Sequence, residues 1–242
     1  MNHEIIQLMQ QLRFTGMRAT FEGIIASKNI NAIGNDEFLN LLLQAEWDER
    51  ESQKANRRLH NARFRFRASM EEIDYVTPRG INKTQLMRFT DGTFVKKSEN
   101  VLITGATGVG KSYIATALGH LACQWGYKVS YFLAQKLFTA LRMSKADESY
   151  LKQLKRIEKQ DLIIIDDFGL QPLDDMTRMM LLEVIEDRHQ IRSTIIASQL
   201  PVEKWYDIIG ESTVADAILD RLVHTAHRIE LSGESMRKKK KE

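Results

Sequence analysis

The sequence predicts an α/β protein: a mainly parallel sheet flanked by helices, preceded by an all-helical N-terminal domain. Three observations predict it. From residue 101 onward, apolar runs of four to six residues alternate with helical patterns, as strands joined by crossover helices do. Those runs are apolar at nearly every position, which strands buried on both faces must be. Before residue 70 the periodic segments all have helical spacing.

The N-terminal helices read in order. Ile5, Leu8, Met9 and Leu12 recur at i, i+3, i+4 and i+7; Met17, Thr20, Phe21, Ile24 and Ile25 repeat the spacing after Gly16. Phe38, Leu41, Leu42 and Ala45 do so again, with Asp36 placed to cap the helix start. No Gly or Pro interrupts this last pattern, which runs through Trp47 towards Phe66. Pro78 and Gly80 punctuate its end, and 81–97 reads as a connecting stretch.

The sheet region follows. Strands are expected at 101–104, 128–133, 162–165, 194–198 and 228–231. Helices are expected at Lys111–Gln124, 135–142, Tyr150–Glu158, 174–189 and 214–224, with Pro201 in the first turn of another. Trp47, Trp125 and Trp205 are expected as packing residues.

Composition narrows the class. Of 242 residues, 43% are hydrophobic and 28% charged, with 13 Gly and 3 Pro, which excludes a chain disordered throughout, collagen and turn-dense all-β folds. The single Cys123 excludes an internal disulfide and a Cys-rich zinc site. A reducing, cytoplasmic location is the expectation. The N-terminus carries Glu4, Gln7, Gln10 and Gln11, unlike a secretory signal, and no run of 18 apolar residues predicts a membrane span. Net charge is +3, yet Arg237, Lys238, Lys239, Lys240 and Lys241 form a basic tail on a near-neutral body.

The strongest chemical signal is the run Gly105, Ala106, Thr107, Gly108, Val109, Gly110, Lys111, Ser112, followed by Tyr113. It completes G-x-x-x-x-G-K-[ST] between a strand and a helix. Glycines let backbone N–H groups converge on phosphate oxygens, and the helix start adds its positive end. Lys111 is placed to reach the β- and γ-phosphates, and Ser112 to offer a hydroxyl to Mg²⁺. The apolar strand 162–165 runs into Asp166 and Asp167. Carboxylates at the C-terminal end of a central strand lie where α/β sheets bind ligands. Asp166 is the candidate for the Mg²⁺ site, and Asp167 for orienting or activating the attacking water. Ser198 and Gln199 end another strand, and either can contact the γ-phosphate or the water; a plain strand-end turn is the competing reading. Arg221 lies in a helical segment, where it reads as a surface residue or as an arginine finger for a neighbouring subunit.

Residues 54–67 hold Lys54, Arg57, Arg58, Arg63, Arg65 and Arg67 without an acid, interleaved with His60, Phe64 and Phe66. Arginine matches phosphate geometry, and aromatic residues among cations suit nucleic acid. The competing reading is a solvated face paired with acids such as Asp48, Glu49 and Glu51. The tail 237–241 reads as a solubilising end or a second phosphate-backbone contact.

Taken together, GATGVGKS, LIIIDDFGLQPL, TIIASQLPVEKWY, DAILDRLVHTAHRIEL and GESMRKKK, with LLLQAEWDERE and EEIDYVTPRGI upstream, resemble the IstB family, the AAA+ helper ATPases of bacterial insertion sequences related to DnaC-type helicase loaders. The resemblance spans nearly the whole chain. It implies an AAA+ core, with Lys111 and Ser112 at the Walker A positions, Asp166 at Walker B, Ser198 or Gln199 at sensor 1 and Arg221 as arginine finger. It implies ATP and Mg²⁺ as cofactors, double-stranded DNA bound with little sequence preference, a homo-oligomeric ring or spiral, and a transposase recruited and stimulated at target DNA. The expected organisation is a DNA- or partner-binding domain at 1–72, a connection at 73–97, the ATPase domain at 98–234 and the tail at 235–242. Two departures stand out. Asp167 falls where many AAA+ proteins carry a glutamate, and the residues after 228–231 leave little or no room for a helical lid. Arg237 is then the candidate replacement for the lid's sensor 2 arginine. Three rival functions share parts of this pattern: a DnaC-like helicase loader, a small-molecule P-loop kinase, and a DNA-coating scaffold whose nucleotide is structural.

Overall fold

The helical spacing of the N-terminal residues yields α1 (Asn2–Gln11), α2 (Thr15–Ala26) and α3 (Asn35–Ala62) in the computed structural model, which describes residues 2–27, 33–224 and 226–236. The chain divides between Arg57 and Arg58 into two compact units, a division inside α3, whereas the sequence pattern places it at residue 72.

In the first unit Met9, Phe21 and Leu42 form the buried centre, with Ile5, Phe14, Met17 and Phe38 packed around them. The expected stripes are wider than the core: Leu8, Leu12 and Leu41 stay exposed, because so small a unit has little interior to offer. Glu46 of α3 is buried and accepts hydrogen bonds from the Gly16 and Met17 N–H groups at 2.9 and 3.2 Å and from Arg50 Nε at 2.7 Å. It thereby caps α2 from outside the helix. Burial alone would raise its pKa, but the hydrogen bonds from Arg50, Met17 and Gly16 outweigh burial and hold it below the ordinary carboxylate range. Gly16 is required there, since a Cβ would lie 2.2 Å from the Ala45 carbonyl oxygen. Asp36 is not the cap expected of it. α3 begins at Asn35, so Asp36 lies within the first turn, where its charge favours the positive end of the helix. Leu42 and Glu46, one turn apart, face inward, which leaves Trp47 exposed.

In the second unit the stretch 81–97 holds two short helices, α4 (Lys83–Met87) and α5 (Thr93–Lys96). Asn82 starts the first by accepting from the Gln85 N–H at 3.1 Å. Then come β1 (Val101–Gly105), α6 (Lys111–Gln124), β2 (Val129–Leu133), α7 (Ala134–Ala146), α8 (Tyr150–Glu158), β3 (Leu162–Phe168), α9 (Asp175–Glu186), β4 (Ser193–Ser198), α10 (Trp205–Ile209), α11 (Ser212–Val223) and β5 (His227–Leu231). The strands lie in the order β2-β3-β4-β1-β5, and every pair is parallel.

Alternation along each strand builds two cores. Val101, Ile103, Leu162, Ile164, Ile195 and Ala197 face α6 residues such as Ile114 and Leu118. Leu102, Ile163, Ile165 and Ile196 face residues of α7, α8, α9 and α11 on the other side. Cys123 is buried in the first core, where burial pushes its thiol up to about 12. Arg188 is fully buried and donates to the carbonyls of Ile157, Gln160 and Ser193, tying the end of α8 to the start of β4. Trp205 is buried as expected, but Trp125 follows the end of α6 and is exposed, its Nε1 donating to the Thr90 carbonyl at 3.2 Å. Pro201 precedes a 3-10 turn, Val202–Lys204, in extended geometry instead of entering a helix. Among the described residues no helix follows β5, and none is long and apolar enough to cross a membrane.

Candidate functional site

At the C-terminal end of β1 the chain turns through residues 106–110 into α6. Gly108 and Gly110 take left-handed φ values of 86° and 106°. Crowding as well as φ excludes side chains there. A Cβ would lie 2.0 Å from Ser235 Oγ at position 108 and 2.7 Å from the Arg79 guanidinium at position 110. No side chain caps the start of α6, so the helix presents its first N–H groups at the loop, the arrangement that receives anions. Lys111 is buried and donates from Nζ to the Ala106 carbonyl at 2.8 Å, closing the loop on itself.

Ser112 and Asp166 meet from neighbouring elements. The Ser112 hydroxyl donates to Asp166 Oδ1 at 3.0 Å. Asp166 is fully buried and also accepts from the Tyr131 hydroxyl of β2 and, at 2.9 Å, from the Asp167 N–H. Burial first, and Asp166 second, raise the Tyr131 pKa, so its hydroxyl stays a neutral donor. This donor set fits Mg²⁺. A serine hydroxyl and a carboxylate are hard oxygen ligands, and Mg²⁺ completes its shell with water and phosphate oxygens. Among the described residues no group of three or more His, Cys, Asp or Glu forms a protein-only metal cage.

The structure separates Ser198 from Gln199. Ser198 is fully buried; its hydroxyl donates to the Phe168 carbonyl at 2.8 Å and accepts from the Leu200 N–H at 3.1 Å, so it ties β4 to β3. Gln199 instead accepts from the Thr107 hydroxyl at 2.8 Å and faces the loop. Asp167 sits at an irregularity in the β3–β4 register and takes a φ of 57°. Asp167 lines a cavity of about 590 Å³ between α7 and α9, with Gln135, Arg142 and Thr177, and no described residue of the phosphate loop lines that cavity. Tyr113 turns its hydroxyl away, donating to Glu72 at 2.8 Å, and its ring stacks on Phe66. Arg221 is held within its own chain: its guanidinium pairs with Glu186 at 2.5 Å and donates to the Ala217 carbonyl at 2.8 Å.

In the basic stretch, Lys54 pairs with Glu51 at 2.7 Å. Arg57, Arg58, Arg63, Arg65 and Arg67 form no ion pair among the described residues, and Arg57, Arg63, Arg65 and Arg67 are exposed. Arg63 and Arg65 line a cavity of about 720 Å³ together with Lys136 and Arg156. Phe64 is not free to stack on bases. It packs into the α6 core, 4.4 Å from the His120 ring and 6.2 Å from the Tyr131 ring. The tail 237–241, including Arg237, lies outside the described residues.

One residue at the loop escapes a reading of the sequence. Arg79 is buried, and its guanidinium donates to the Val109 carbonyl at 2.9 Å. Beyond lying within EEIDYVTPRGI, its signal is position, between Pro78 and Gly80 at the edge of a stretch that reads as a connection.

Residues 7–242 match the family model described as IstB-like ATP binding protein. A Sinorhizobium fredii protein named as an insertion sequence ATP-binding protein is 42% identical over 236 residues, which cover 98% of this chain and 96% of that one. One from Pseudomonas aeruginosa, named for insertion sequence IS21, is 28% identical over 239 residues, or 99% of this chain and 90% of its own. Among solved structures, DnaI is similar with a TM-score of 0.60 at 22% identity, covering 73% of this chain and 93% of its own. The DnaC helicase loader gives 0.53 at 20%, covering 61% and 86%. These two likenesses concern the fold.

Proposed function

This chain belongs to the IstB-like ATP-binding protein family, and from that premise we propose that it is an insertion-sequence AAA+ ATPase that assembles on duplex DNA with ATP and there recruits and stimulates a transposase. The observation that carries the ATPase reading is the convergence of Ser112 and Asp166, 3.0 Å apart, beside a phosphate loop that opens onto an uncapped helix start. On binding, Lys111 exchanges the Ala106 carbonyl for phosphate oxygens, and the N–H groups of the loop hold the rest. Ser112 and Asp166 would hold Mg²⁺, which neutralises charge on the β- and γ-phosphates when bound. We assign the orientation of the attacking water to Gln199, which accepts from Thr107 of the loop, ahead of Asp167, which lines the α7–α9 cavity. Arg221 of an adjoining protomer completes the pocket, so the nucleotide state sets the subunit contact. Contacts of that head-to-tail kind build rings or spirals.

Lys111→Ala removes a charge-assisted donor and is expected to weaken ATP binding roughly 10- to 100-fold. With duplex DNA and ATP, wild type should sediment as a large assembly and the variant as small species. An assembly of equal size from both would sink the mechanism.

The arginines without an ion pair support the DNA reading. Replacing Arg57, Arg58, Arg63 and Arg65 by glutamine should flatten the log–log salt dependence of duplex binding by about 3–4 in slope, at about 0.9 for each phosphate no longer neutralised. An unchanged slope removes these residues from the interface. The helicase-loader alternative shares the whole core. Retention of a hexameric helicase, and not a transposase, by the ATP-bound protein would favour it.

A further inference from the structure

We infer that Arg79 is a positioning residue for nucleotide binding: it pins the Val109 carbonyl so that the Gly110 N–H is aimed at the phosphates before any nucleotide arrives. The inference deepens the nucleotide-site reading above and rests on it.

The reasoning starts from peptide geometry. In a planar trans peptide the carbonyl and the following N–H point to opposite sides. Holding a carbonyl from behind therefore aims the next N–H forward. Arg79 holds the Val109 carbonyl at 2.9 Å, which aims the N–H of Gly110. The Met236 N–H holds the Gly108 carbonyl at 2.9 Å, which aims the N–H of Val109. Two consecutive peptides of the loop are thus braced from the side away from the anion. Donors fixed in advance bind more tightly than donors that must be ordered on binding.

The brace is itself anchored. A second nitrogen of the Arg79 guanidinium donates to the Asp74 carbonyl. Asp74 belongs to a turn closed by its own carboxylate, which accepts from the Val76 and Thr77 N–H groups at 2.8 and 3.1 Å. The Arg79 carbonyl accepts from the Ser232 N–H at 2.9 Å, so the segments before β1 and after β5 are laced together behind the loop. Contact is close: a Cβ on Gly110 would lie 2.7 Å from the guanidinium.

A role in packing alone does not account for this residue. Arg79 is 5% exposed, and its Nε has no hydrogen-bond partner among the described residues. Buried cations with unsatisfied donors are costly, and apolar side chains of similar volume usually serve stability as well or better. What an apolar side chain cannot do is hold two carbonyls on different segments. Lysine cannot reproduce it either, since it lacks the planar fork.

The test uses the full chain with Mg²⁺. A fluorescent ADP analogue is titrated into wild type, Arg79→Ala, Arg79→Lys and Lys111→Ala below the unfolding midpoint, with ATP and inorganic pyrophosphate as competitors. Arg79→Ala and Arg79→Lys should each weaken ADP, ATP and pyrophosphate by a common factor of roughly 10–100. The nucleotide-free unfolding midpoint of Arg79→Lys should stay close to that of wild type. Wild-type affinity in Arg79→Lys overturns the inference, as does a loss in Arg79→Ala that only tracks its unfolded fraction. If Arg79→Ala does not fold, Arg79→Lys decides alone. Wild-type affinity in Lys111→Ala would instead strike the nucleotide-site reading, and the inference would fall with it.

Discussion

Arg221→Ala should lower ATP turnover in the DNA-bound assembly by roughly 10³- to 10⁵-fold, the range found when an arginine finger is lost, and leave ATP affinity of the isolated protomer unchanged. The separation follows from geometry. In its own chain Arg221 lies on α11, where its guanidinium is paired with Glu186 of α9 and bonded to the Ala217 carbonyl. In the shared-pocket function proposed above, the same guanidinium serves a neighbour. Glu186 is the competitor for that role. Glu186→Gln frees the guanidinium and should lower the protein concentration at which turnover begins. The stability cost is small, since Glu186 is half exposed and such pairs contribute little. Turnover per assembled protomer that is indifferent to Arg221→Ala would end the shared-pocket reading.

Asp166→Asn should be the other severe lesion, with hydrolysis down by roughly 10²- to 10³-fold in Mg²⁺. Binding of ADP without Mg²⁺ should be retained. The carboxylate accepts from Ser112, Tyr131 and the Asp167 N–H, all donors. An amide presents a donor on one side, so at least one of the three loses its acceptor inside a dry site, at a cost of about 1–3 kcal/mol. Thermal unfolding of the nucleotide-free variant checks that cost separately from activity. Full hydrolysis by Asp166→Asn would take this residue out of the metal site.

What is legible in the sequence is local. The strands at 101, 162 and 194 announce themselves because a strand covered on both faces has nowhere to put a polar side chain. The helices Lys111–Gln124 and Tyr150–Glu158 keep the bounds that their patterns give. The phosphate loop is readable because its glycines, lysine and serine act within eight consecutive positions. What stays hidden depends on partners far along the chain. Ser198 and Gln199 are indistinguishable until Phe168 claims one and Thr107 the other. Arg79 meets Val109 across thirty residues and offers no periodicity to read. Phe64 looks like a base-stacking ring among arginines, but α6 and β2 supply the surface that partly buries it. Leu8 and Leu41 have helical spacing without a core large enough to use it.

Tyr131 belongs to two neighbourhoods at once. Its hydroxyl grips the Asp166 carboxylate, while its ring lies 6.2 Å from Phe64, the residue between Arg63 and Arg65. The turn bearing those arginines and the carboxylate near the end of β3 accordingly share one aromatic neighbour.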